Sequence, residues 1–242
     1  MNSKPFILLY YVWAMGIACG FTGQDDRTLK VKEIEHSGDA SLQEVSDLLE
    51  SQTELHDIDL INWDAFSYRP KAQFRIAHSN NQIWLKYYIE EKSILAEVVD
   101  VNGAVSNDSC VEFFFDPQAD GNYYNFEFNC IGTPLLAYGP GRSDRHFVDE
   151  KSIQEQIQVK STLGTTSFKE QTGEHTWEMT LVIPAESLLH DEGLQLKGLH
   201  AKANFYKCGN KTAEAHYLSW NPVKAERPDF HRPEYFGTVI FE

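Results

Sequence analysis

The sequence predicts an all-β protein: one antiparallel β-sandwich, of jelly-roll or immunoglobulin-like type, behind a signal segment. Three observations carry this. The stretch DSCVEFFFDPQADGNYYNFEFNC, Asp108 to Cys130, alternates on both sides of a cluster of Pro, Asp, Gly and Asn, as two antiparallel strands and their turn do. Short runs of the same kind follow one another to the C-terminus, with turn residues between them. Within that part only AESLLHDEG, after Pro184, reads as a helical turn. A chain of 242 residues, 42% hydrophobic and 13% aromatic, can fill one substantial core.

Taken in order, residues 1–18 read as a signal peptide. Lys4 precedes PFILLYYVWAMGIACGF, a run without charge that is short for a spanning helix and right for the hydrophobic region of a secretory signal. It ends in Gly16-Ile17-Ala18-Cys19, which resembles the lipobox of bacterial lipoproteins and implies lipidation of Cys19 after cleavage. Gly16 stands where that motif usually has Leu, so ordinary cleavage stays open. The expected product is exported, to the cell surface, the periplasm or the outer membrane. Residues 19–59 read as a polar, acidic tether in which EVSDLLESQ has the makings of a short helix. The domain, 60–242, opens near Leu60-Ile61-Asn62-Trp63. AQFRIAHS and QIWLKYYIEE flank Asn80-Asn81, and after the aromatic hairpin come PLLAYG, HTWEMTLVIP, KANFYKC, HYLSWNP and GTVIFE. Trp63, Trp84 and Trp177 fall in alternating apolar segments and belong to the core. The net charge of −15 excludes an electrostatic grip on nucleic acid.

The cysteines beyond the leader are Cys110, Cys130 and Cys208. An oxidising compartment would favour one disulfide and leave one thiol over, and the alternation places Cys110 and Cys130 on opposite faces. No CxxC or His-cluster spacing points to zinc. DPQADGN, Asp116 to Asn122, has oxygen ligands for calcium, but Asp, Gly and Asn are also what a hairpin turn needs. No cofactor is expected, with calcium as the alternative.

At DSCVEFFFDP, NFEFNCIGT, HTWEMTLVIP, LSWNP and PDFHRPEYFG the chain resembles the family 9 carbohydrate-binding modules, and in particular the family-9-like domains of exported Bacteroidetes proteins. The likeness runs from about Trp63 to Glu242. It implies a β-sandwich that holds a sugar and does no chemistry. The family's sugar-contacting Glu matches Glu112. An Arg on the neighbouring strand matches Glu127, with reversed charge. One Trp of the family's clamp is replaced by Ser106, and Trp220 is the best counterpart of the other.

The hairpin sharpens this. Pairing Val111 with Phe128 and Phe113 with Phe126 sets Glu112 opposite Glu127, an arrangement that destabilises a sheet unless something offsets it. Sugar hydroxyls, Arg142 or Arg145, or a bound cation would do so. A register slipped by two would instead set Glu112 beside Asn129 on a solvated face. Asn125 and Asn129 share the face of the two glutamates, and amides with carboxylates supply what hydroxyls require. Trp220 is either an apolar platform for a sugar ring or a core residue. Arg142 and Arg145 are either the carboxylates' partners or surface charge. The expected function is non-catalytic carbohydrate binding on the polar face of the hairpin. The alternative is a glycosidase using Glu112 and Glu127, whose carboxyl groups would lie about 5 Å apart in a retaining enzyme. A haem protein with Met179 as axial ligand is a third reading.

Overall fold

The computed structural model describes residues 27–242, so the signal segment and Cys19 lie outside the described residues. The elements are β1 (Thr28–Glu33), helix α1 (Leu42–Gln52), β2 (His56–Asp57), β3 (Leu60–Ile61), β4 (Lys71–Ser79) and β5 (Gln82–Ala96). They continue with β6 (Cys110–Asp116), β7 (Tyr123–Asn129), β8 (Pro134–Gly139), β9 (His146–Phe147), helix α2 (Glu150–Gln156) and β10 (Gln158–Ser161). The last are β11 (Phe168–Pro184), β12 (His200–Gly209), β13 (His216–Ser219) and β14 (Gly237–Phe241).

The strands run in the order β10-β11-β5-β4-β1-β14-β12-β6-β7-β8-β9 and curl into two facing layers. β1 joins the layers. Its first residues pair in parallel with β14, Thr28 to Thr238 through Val31 to Phe241, and its last, Lys32 and Glu33, pair with Ala77 and His78 of β4. Between the layers the aromatic face of the hairpin is buried as its alternation requires. Phe205 lies between Phe74 of one layer, 3.9 Å away centroid to centroid, and Phe113 at 5.0 Å. Tyr87 reaches across to donate its hydroxyl hydrogen to the carbonyl of Glu112 at 3.0 Å.

The tether expected over 19–59 is corrected from residue 28 onward. β1 is a sheet member, and α1 lies on the outer face of the β4–β5–β11 layer, with Val45 and Leu49 against Ala77, Trp84 and Val182. Behind it the Lys86 ammonium, 3% exposed, donates to Ser46 Oγ at 2.8 Å and pairs with Glu178 at 2.8 Å and with Glu50. The helix start was written in the sequence as Ser41-Leu42-Gln43-Glu44. Ser41 Oγ accepts the amide of Glu44 at 3.3 Å while Glu44 Oε2 accepts the amide of Ser41 at 2.9 Å, a reciprocal capping box. Ser41→Ala is expected to lower stability by about 0.5–2 kcal/mol in a urea titration, because α1 is part of the cooperative unit. If the segment were a tether, the midpoint would not move.

The other face of the hairpin is also covered. Cys110, Phe114, Tyr123 and Tyr206 pack with Trp63, Val223, Phe230 and Phe236 in a second apolar cluster, because the chain after β13 folds back over that face. Trp63, Trp84 and Trp177 are all buried, yet in three different places: under this C-terminal cover, under α1 and between the layers.

Candidate functional site

The register of β6 and β7 is the one the aromatic pattern predicts. Glu112 faces Glu127, flanked by Val111–Phe128 and Phe113–Phe126. On its other side Glu112 faces Tyr206 of β12. What the sequence did not reveal is the roof. Residues 228–231 and Tyr217 close over the two glutamates and leave a cleft of about 150 Å³, also lined by Ser106, Arg142, Cys208 and Asn210. Both glutamates are nearly buried, at 3% and 4% exposure, on the floor of a narrow, shielded cleft, and the solvated face of the slipped register does not occur.

Two buried carboxylates side by side do not both ionise easily. Glu127 has the better surroundings: its Oε1 accepts from Asn125 Nδ2 at 2.8 Å and from Arg145 Nη1 at 3.3 Å. Burial raises its pKa, and Arg145 pulls it part of the way back. Among the described residues no cation is in contact with Glu112. Its Oε1 accepts from the Cys208 thiol at 3.0 Å, and burial first, with Cys208 and Glu127 adding to it, holds its carboxyl well above the ordinary range. Of the two, Glu112 is the one whose surroundings favour the protonated form more, while Arg145 favours the carboxylate of Glu127. Such a pair can set a donor beside an acceptor.

Arg145 is held in turn by His231, whose Nε2 accepts from Nη1 at 3.3 Å, and its guanidinium lies 5.2 Å from the ring centre of Phe147. Burial, with Arg142 and Arg145 beside it, brings the pKa of His231 down to about 2, so the ring is neutral. With Nε2 accepting, its one proton sits on Nδ1 and faces the Tyr123 hydroxyl at 2.7 Å. A relay from Tyr123 through His231 and Arg145 to Glu127 thus sets the geometry of the carboxylate.

The other expected site residues divide. Asn125 belongs to the cluster through Glu127, and its Oδ1 is buried without a protein partner. Arg142 stands at the rim, where Nη2 lies 3.3 Å from Asp229 Oδ1, and it is largely exposed. Asn129 is corrected to a structural role. Its Nδ2 donates to the Val98 carbonyl and to Asp108 Oδ2, both at 2.8 Å, and its Oδ1 accepts from the Thr133 amide at 2.9 Å. With both amide hydrogens engaged and no exposure, it offers a ligand no surface.

Trp220 is corrected to a core residue. Beyond the Tyr206–Ser219 pair of β12 and β13 the alternation turns its ring to the same side as Phe205, which it meets edge-on at 5.7 Å. It also lies on Gly237, where an added Cβ would come within 2.4 Å of the ring. Lys207 likewise points away from the cleft into the space between the layers, whereas Tyr206 lies beneath it, stacked on Phe230 at 4.0 Å. In the DPQADGN turn Asp116 accepts the amides of Asp120 and Gly121 at 3.3 and 2.9 Å, so its carboxylate serves the turn.

Sequence reasoning missed His231, Tyr123, Tyr217, Phe230 and Cys208 as parts of the site. The signal for two of them was in PDFHRPEYFG, a polar and aromatic run too irregular for a strand, in a chain otherwise made of strands.

Comparison with known proteins places this architecture. The family model for Carbohydrate-binding family 9 matches residues 43–241. The chain is similar to a Bacteroides uniformis protein provisionally classed as carbohydrate-binding, with 37% identity and a TM-score of 0.86 over 90% of this chain and 100% of that one. It is also similar in fold to a family 9 carbohydrate-binding module of Caldicellulosiruptor kristjanssonii solved with glucose, at 10% identity and a TM-score of 0.58, covering 89% of this chain and 96% of that one. The same kind of module from that organism with cellotriose gives 12% identity and a TM-score of 0.54, covering 89% and 94%. No curated protein matches the chain.

Proposed function

Because the chain belongs to Carbohydrate-binding family 9, we propose that the cleft over Glu112 and Glu127 is where it holds its sugar, and that it does so without chemistry. The observation that carries this reading is the paired carboxyl groups. Burial holds the Glu112 carboxyl well above the ordinary range, Glu127 is paired with Arg145, and both are shielded from bulk water at the bottom of a cleft. A sugar hydroxyl gives one hydrogen bond and takes others, so an acid and a carboxylate side by side match it in both directions. Phe230 and Tyr217 line the same space and offer apolar surface to a ring face, the part a clamping Trp would play where this chain has Ser106.

The ligand class is a terminal sugar unit. Ligand pockets for larger molecules run to about 300–1,000 Å³, and this cleft, at about 150 Å³, has room for one ring. Glucose and cellotriose, the ligands in the Caldicellulosiruptor kristjanssonii modules, are the first compounds to try. Export is part of the proposal, supported by the uncharged run from Pro5 to Phe21 behind Lys4, with Cys19 as the lipid anchor.

The test is calorimetry with mono- and oligosaccharides on the wild type and on two isosteric variants. Glu127→Gln removes the ionised acceptor and is expected to weaken binding about 10- to 100-fold, the range for a hydrogen bond to a charged group. Glu112→Gln keeps one donor and one acceptor and is expected to stay within about threefold. Equal affinity of wild type and Glu127→Gln, with both folded by circular dichroism, would move the sugar site elsewhere.

A further inference from the structure

Beside Glu112 the cleft floor holds two thiols that sugar binding does not use. Cys110 of β6 and Cys208 of β12 face one another directly across the two strands, and Glu112 lies two residues along on the same face. The two thiol sulfurs and a carboxylate oxygen of Glu112 all lie within 4.8 Å of one another. The Cys208 thiol already donates to Glu112 at 3.0 Å. We propose that Cys110, Cys208 and Glu112 form a binding site for one thiophilic divalent cation of the Zn²⁺ type, with its fourth coordination position open to the cleft.

Three arguments lead there. The first is ligand chemistry: two thiolates and a carboxylate suit Zn²⁺ and not a hard ion such as Ca²⁺, and three protein ligands leave one tetrahedral position free. The second is access, since Cys208 and Glu112 line the cleft and an ion can reach them while Cys110 closes the site from behind. The third is charge. A thiol carries no charge, and metal ligation takes it as the thiolate. An ion binding here displaces the protons of Cys110, Cys208 and Glu112. Two thiolates, one carboxylate and a divalent ion leave a single negative charge, opposite in sign to Arg142 on the cleft wall and Arg145 beyond Glu127. Cys130 cannot take part, because it belongs to the core between the layers.

The proposal does not depend on the sugar reading, and its test separates the two. The full chain, reduced and then freed of reductant under argon, is titrated with Co²⁺ as a spectroscopic probe and with Zn²⁺ by calorimetry, without sugar. The expected result is one equivalent bound in wild type and in Cys130→Ser. Intense thiolate-to-cobalt absorption and the visible bands of a tetrahedral ion should accompany it. In Cys208→Ser and in Cys110→Ser the affinity should fall by about 100-fold or more, beyond the usual range for losing an outer-shell partner. Calorimetry in buffers of different ionisation heat should register proton release on binding. Absence of the thiolate band, or undiminished binding in Cys208→Ser with its fold intact, overturns the proposal. So does a Cys110–Cys208 disulfide in the protein as isolated, since residues opposed on antiparallel strands lie within reach of that bond.

Discussion

Glu91→Ala is expected to lower the free energy of unfolding by about 3–5 kcal/mol, the cost of leaving one member of a buried ion pair without its partner. The Lys207 ammonium has no exposure and sits 2.9 Å from Glu91 Oε2 between the two layers, an ion pair rather than an aligned hydrogen bond. Its hydrogens go to the Cys208 carbonyl at 2.9 Å and to His216 Nε2 at 2.8 Å. Burial first, with Lys207 beside it, holds the pKa of His216 well below its usual value, so the ring stays neutral. It accepts from the lysine at Nε2 and donates from Nδ1 to the Glu214 carbonyl at 2.7 Å. Glu91 Oε1 takes the indole hydrogen of Trp177 at 2.7 Å. The alanine would strand the lysine and the indole together, in a place water does not reach. The double variant Glu91→Leu with Lys207→Met removes both charges and should recover most of the loss. Urea titrations of the single and double variants measure this. A loss below about 1 kcal/mol for Glu91→Ala, the scale of an exposed pair, would mean that the network is solvated.

Trp220→Ala should cost a similar amount, about 3–5 kcal/mol, because it empties a large volume in the core. The ring is wedged between Phe205 and Gly237, and its one uncovered edge opens on Arg27, Leu55 and Asp59 rather than on the cleft. Sugar affinity at a temperature where the variant is still folded should therefore stay within about twofold of wild type, as for sites that share no partners. The family resemblance leads to the reverse expectation, a large loss of affinity with little loss of stability. A combined denaturation and binding measurement separates the two outcomes.

Why the resemblance pointed to Trp220 as a clamp is instructive. LSWNP is a short motif at a strand end, and from its letters alone the ring could face either side. The pairing of Tyr206 with Ser219 decides it by carrying Trp220 to the core side. Residues 28–57 pose the same problem at a larger scale. They are polar on average because α1 buries only Val45, Ser46 and Leu49, and β1 contributes just Leu29 and Val31 to the core. A segment that covers one face of a sheet needs few apolar residues, so its composition resembles that of a tether. The capping box was the local mark of order.

The zinc-type cluster was hidden for a different reason. Sequence motifs for metals rely on ligands close together in the chain, whereas Cys208 is 96 residues from Glu112 and meets it only because β12 lies beside β6. The relay that orients Glu127 is likewise long-range, with Tyr123 and His231 separated by 108 residues.

The sequence by itself determined the fold class and the division of each strand into two faces, and it offered the opposition of Glu112 to Glu127 as one of two registers. The division into faces follows from period-two alternation, which is local and survives any rearrangement of distant segments. Only the tertiary structure decided what covers those faces. Alternation says which side of a sheet a side chain takes, but it is silent on which distant segment will fold over that side. Here the return of residues 220–236 across the hairpin turned a polar strand face into a shielded cleft. That burial raises the pKa of both glutamates, and Arg145 balances Glu127 by direct contact while Arg142 acts on the pair from the rim.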